Sequence, residues 1–127
     1  MTMFVDSNYG HDEVTGNSIN RLISLLGSIP VNWFAKRQSS CFTSTFGAEF
    51  TSLKKAVEEA LVLRHHYRSF GMKVARQNIA HEDNMSVVIK SNNPGSTLQH
   101  KSMSLSCHFV REHCYVDVIE VRKIALD

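Results

Sequence analysis

The sequence predicts a mixed α/β domain built in the order β-β-β-α-β-α-α-β. Three observations carry that expectation. Short apolar runs with strand-like alternation lie towards both ends of the chain, one long segment repeats its apolar residues at steps of three and four, and turn-forming clusters separate the two patterns. At 127 residues and 43% hydrophobic content, the chain has the size of one domain, spanning 1–127, and can bury a real core. No internal repeat, low-complexity tract or linker divides it.

The first element is an apolar run, Met3 to Val5, that ends at Asp6. "SNYGHDEVTGNS" follows, with two glycines and two asparagines, and reads as a loop. Leu22 to Leu26 forms a second strand stopped by "GSIP", and "VNWFAKR" a third that begins just past Pro30. Close spacing predicts an antiparallel meander, with Trp33 and Phe34 in the core.

Phe46, Phe50, Leu53, Val57, Ala60 and Leu61 then mark one face of a long helix. Ser44 or Thr45 can cap its start, Arg64 and Arg68 suit the negative end of its dipole, and Gly71 supplies a stop. A fourth strand is expected over Gln77 to His81, with Glu82 and Asp83 at its outer end, and a brief helix after it. "SNNPGST" reads as a loop and "HKSMSLSCHFVREHC" as a helix. "YVDVIEVRKIAL" is the last strand, where Ile119 and Val121 alternate with Glu120 and Arg122.

Composition narrows function less than it narrows fold. A net charge of +2 is only mildly basic, so any nucleic-acid claim must rest on local arrangement. No apolar run approaches the ~20 residues of a membrane span and no secretory signal is visible, which predicts an intracellular protein without membrane contact. Three cysteines, Cys41, Cys107 and Cys114, are a sparse, odd set that fits a reducing compartment. On one helix Cys107 and Cys114 lie about 10 Å apart, beyond disulfide reach. "CHFVREHC" offers two Cys and two His, but spacings of seven and five do not converge on one zinc ion.

Three acids fall at element ends: Asp6 after the first strand, Glu49 in the first turn of the long helix, and Asp83 after the fourth strand. Glu49 is the odd one. A capping box needs the acid three residues past the cap, which is Gly47 from Ser44 or Ala48 from Thr45. Glu49 misses that slot and adjoins Phe50 and Leu53, so its carboxylate must lie at the core margin, where an acid is costly unless a cation meets it. Carboxylates gathered from strand and helix ends suit Mg²⁺, a hard cation that takes oxygen ligands. Two such ions about 4 Å apart can clamp a phosphodiester.

"FVDSNYGHD", "VNWFAKRQSSCFTSTFGAEFTSL", "HEDNMSVV" and "HKSMSLSCHFVREH" followed by "VIEVRKI" resemble, in the same order, the ribonuclease H domain of copia-type LTR retrotransposon polyproteins. "KRQSS…TSTFGAEF" is the most specific block. The resemblance implies a ribonuclease H fold, a five-stranded mixed sheet with flanking helices, and cleavage of the RNA strand of an RNA–DNA hybrid with two Mg²⁺ or Mn²⁺ ions. It assigns Asp6, Glu49 and Asp83 as metal ligands. It also implies an attached or associated reverse transcriptase domain, and a cytoplasmic setting in virus-like particles or a nuclear one.

The family carries a fourth acid in an "AD" pair within a final helical segment after the last strand. This chain stops at Asp127 before it, so the final helix is expected to be missing, with Asp127 a poor substitute. "YGHDEVTGNS" also replaces a family pattern with paired arginines, which predicts weaker hybrid binding. Gln38, Ser44 and Asn84 are candidates for contacts to the 2′-OH of RNA, and His100 for proton transfer or product release. The basic run "LRHHYRS", with Lys54, Lys55, Lys36 and Arg37, can face a phosphate backbone or remain a solvated face. The competing expectation is an inactive retroelement relic that binds nucleic acid or a protein.

Overall fold

The computed structural model of the chain describes residues 1–10, 13–39, 44–93, 95 and 103–125. The elements are β1 (Thr2–Asn8), β2 (Ile19–Leu26), β3 (Ile29–Arg37), α1 (Thr45–Ser69), β4 (Asn78–Glu82), α2 (Met85–Asn92), α3 (Ser104–Tyr115) and β5 (Ile119–Lys123). Their order is the one the sequence pattern predicts. The strands form one sheet in the order β3-β2-β1-β4-β5. β1, β2 and β3 pair antiparallel as a meander, whereas β4 runs parallel to β1 and β5 parallel to β4. Parallel neighbours need long crossovers, and α1 supplies the first and the α2–α3 pair the second.

Register sorts the two faces of the sheet. Met3 lies opposite Ser24 and Ala80, Val5 opposite Leu22, and Ala80 opposite Val121, and all of these are buried. They meet Phe50, Leu53, Val57 and Ala60 of α1 and Val110 of α3 in a single core. The other face carries a row in which Trp33 pairs with Ile23, Ile23 with Phe4 and Phe4 with His81; the Phe4 and His81 rings stack 4.9 Å apart.

That row corrects the placement of Trp33. Its alternation in β3 is as expected, but it points to the open face and is 67% exposed. Phe34, on the opposite side of the strand, packs against the core. Asp6 also moves: β1 continues to Asn8, so Asp6 lies inside the strand rather than at its end. Glu49 sits in the second turn of α1, since the helix starts at Thr45 and carries no acid in its first turn. Arg64 is buried and donates to the carbonyls of Ala75 and Arg76 at 2.7 and 3.0 Å, so it ties down the segment before β4 instead of serving the helix end.

Ser44 is the N-cap of α1, its Oγ accepting from the Gly47 amide at 3.2 Å. Ser44→Ala is expected to lower stability by about 1 kcal/mol through the unpaired amide. Urea unfolding at constant slope measures it, and an unchanged midpoint would remove the cap from the account.

Candidate metal centre

Strand β4 alternates Asn78, Ala80 and Glu82 towards the helices, and each of the three is fully buried. Its ladder runs to the end, where the Glu82 carbonyl accepts from the Ile124 amide at 3.0 Å. Glu82 is therefore inside the strand, not at a solvated tip. Its Oε1 accepts from the backbone amides of Asp83 and Asn84 at 3.1 and 3.3 Å, and its Oε2 is buried without a partner.

Glu49 reaches the same place from α1. Its second-turn position points it inward beside Phe50, leaving it 6% exposed with its Oε2 also buried and unpartnered. Glu49, Glu82 and Asp83 each offer a carboxylate oxygen within 4.8 Å of the others, the metal-competent acidic group among the described residues. Burial, the largest cause, pushes the Glu82 carboxyl up to about 8, with its acidic neighbours adding to the effect. Burial also raises Glu49, helped by the charges of Asp83 and Asp6 and opposed by a hydrogen bond from Asn84 and by Lys123.

Asn84 links the parts. It is the N-cap of α2, its Oδ1 accepting from the amides of Ser86 and Val87 at 2.9 and 3.4 Å, while its side chain also bonds Glu49. Lys123, at the end of β5, donates from Nζ to the Asp83 carbonyl. The centre thus draws on α1, β4, the β4–α2 turn and β5.

Of the acids assigned from sequence, Glu49 and Asp83 come together. Asp6 does not join their ligand group. The pleat puts it on the open face, where its Oδ2 pairs with Arg21 at 3.3 Å with both side chains about half exposed, though it is near enough to raise Glu49. Gln38 is buried and braces α1, its Nε2 donating to the Ala48 carbonyl at 2.8 Å and to Asn20 Oδ1. Ser44 is engaged as a cap. His100 and Asp127 lie outside the described residues, as does Cys41. Cys107 and Cys114 are free thiols on α3, and burial pushes Cys114 up to about 11.

Sequence reasoning missed Glu82. The signal was present in the alternation Asn78, Ala80, Glu82, which puts the acid in line with two core positions once the strand is extended by one residue.

The basic residues divide. Lys36 and Arg37 of β3 and Lys54 and Lys55 of α1 line one groove of about 270 Å³ with Gln38 and Glu58. His65, His66 and Arg68 are exposed further along α1, and from Lys54 to Arg68 the helix rises about 21 Å. They are not one patch.

No family model matches the sequence. Solved structures do. The N-terminal RNase H domain of a Mycobacterium tuberculosis protein, solved as a fusion with maltose-binding protein, is similar at 11% identity and TM-score 0.69, over 99% of this chain and 88% of that one. RNase H1 of Halobacterium salinarum NRC-1 is similar at 14% identity and TM-score 0.63, over 97% and 83%. LC11-RNase H1 in complex with an RNA/DNA hybrid is similar at 10% identity and TM-score 0.71, again over 97% and 83%. The chain has the ribonuclease H-like fold.

Proposed function

We propose that this domain is a ribonuclease H-type hydrolase that cuts the RNA strand of an RNA–DNA hybrid in the replication of a copia-type retroelement. The observation that carries the reading is that Glu49 and Glu82, each with a buried carboxylate oxygen that has no protein partner, form one acidic group with Asp83. Leaving such atoms unpaired costs on the order of 1–3 kcal/mol each, and a hard dication is the partner that an all-carboxylate donor set fits.

Glu49 and Asp83 would hold Mg²⁺ or Mn²⁺; the motif order adds Asp6, which in the structure pairs with Arg21 outside their ligand group. Bound there, two ions supply an activated water and charge stabilisation at the leaving oxygen. The chain's own residues do the positioning. Asn84 caps α2 beside Glu49 and favours its ionised form, and Gln38 holds the α1 backbone at Ala48, next to Glu49. No protein nucleophile is needed. The copia-type setting and an attached reverse transcriptase domain rest on the motif order in the sequence.

One observation favours the second reading, an inactive domain that still binds nucleic acid: Asp6 is ion-paired with Arg21 outside the ligand group. A cleavage assay decides between them. With labelled RNA in a hybrid, activity that requires Mg²⁺ or Mn²⁺ and spares the DNA strand supports the hydrolase. A folded protein that binds the hybrid and leaves the RNA intact in both metals establishes the inactive domain.

The groove lined by Lys36, Arg37, Lys54 and Lys55 fits a phosphate backbone. Lys36→Ala is expected to weaken hybrid binding and to lower the slope of log affinity against log salt by about 1. Binding titrations from low to moderate salt give that slope, and an unchanged one would take Lys36 off the interface.

A further inference from the structure

We propose that Glu82 is itself a ligand of the divalent cation, forming a three-carboxylate site with Glu49 and Asp83. The proposal rests on reading the cluster as a metal centre, and it adds a residue that neither the acid triad nor the motif order assigns.

Glu82 is fully buried. If its purpose were only to accept from the Asp83 and Asn84 amides, one oxygen would serve, and a glutamine could present it at the same length. Instead a second oxygen is kept, buried and unpartnered, on a carboxylate that belongs to one group with Glu49 and Asp83. In an octahedral Mg²⁺ shell with bonds of roughly 2.1 Å, adjacent ligands stand about 3.0 Å apart and only an opposite pair about 4.2 Å. The three carboxylates, mutually within 4.8 Å, are near enough for side-chain rotation to close them around one ion.

Charge and topology point the same way. Three acids converge, and Lys123, a cation beside them, donates from Nζ to the Asp83 carbonyl. Arg21 is engaged by Asp6 on the other face of the sheet. The strand pleat that turns Asp6 away turns Glu82 in, because register places Val5 and Ala80, not Phe4 and Asp6, on the helix side. Glu82 thus stands closer than Asp6 to the role of an inward ligand.

The test is Mn²⁺ binding at fixed pH, followed by electron paramagnetic resonance of the free ion. Glu82→Gln preserves the acceptor for the two amides and is expected to weaken binding at least about tenfold, comparably to Asp83→Asn. If Asp83→Asn loses affinity and Glu82→Gln retains it, Glu82 is a structural acid and the proposal falls while the centre stands. If neither variant changes affinity, the metal-centre reading itself fails. Independently of variant folding, Mg²⁺ titration of the ¹³C-glutamate-labelled parent should shift the side-chain carboxyl resonance of Glu82 together with that of Glu49. A Glu82 resonance that stays in place overturns the assignment.

Discussion

Glu49→Gln is expected to lower Mg²⁺-dependent cleavage of an RNA–DNA hybrid by at least about a hundredfold, because it removes a ligand charge where transition-state charge must be stabilised. Folding should not follow activity downward. Glu49 is buried with one oxygen unpartnered, and burial raises its carboxyl, so a neutral amide of the same shape relieves a cost in the metal-free protein. Loss of cleavage with an equal or higher unfolding midpoint in EDTA is the predicted pair of results. Unchanged cleavage would show that Glu49 is not a ligand, whatever the fold.

The metal-free protein is expected to lose stability as pH rises from about 4.5 to about 8, the ordinary and the folded values of Glu82. Over that window the native state keeps a proton that the unfolded chain has released, so raising pH favours unfolding. The contribution is fully present below the lower value and gone above the upper one. Its slope approaches about 1.4 kcal/mol per pH unit, on the order of a few kcal/mol in all. Glu49 acts in the same direction. Urea unfolding in EDTA at several pH values measures the slope, and Glu82→Gln should flatten most of it. At pH 8, excess Mg²⁺ or Mn²⁺ should restore stability by binding the native state alone. A stability curve that is flat or rises with pH in EDTA would remove the buried acid from the account.

Much of the fold was legible because periodicity reports direction. Phe50, Leu53, Val57 and Ala60 recur at helical spacing, and all are fully buried in α1. Ser44 was readable as a cap and is one. Glu49 stood out as an acid on an apolar face away from any capping slot, and the structure buries it beside Asp83. Those readings need only local chemistry.

Trp33, Gln38 and Glu82 were not legible for the opposite reason. Alternation states that Trp33 and Phe34 point to opposite faces of β3, but not which face the helices cover. Gln38 has an exposed-looking context in sequence and is buried by Ala48 and Asn20, ten and eighteen residues away in sequence. Glu82 reads as a solvated strand-end acid until β5 pairs beside it and α1 closes over it.

The sequence by itself determined the element order, the helix with its cap, and the two acids, Glu49 and Asp83, that meet at the site. Only the tertiary structure decided that Asp6 faces Arg21 across the open sheet while the buried Glu82 joins Glu49 and Asp83. A strand pleat sends neighbouring residues to opposite faces, and which of those faces becomes an interior depends on contacts between segments far apart in the chain.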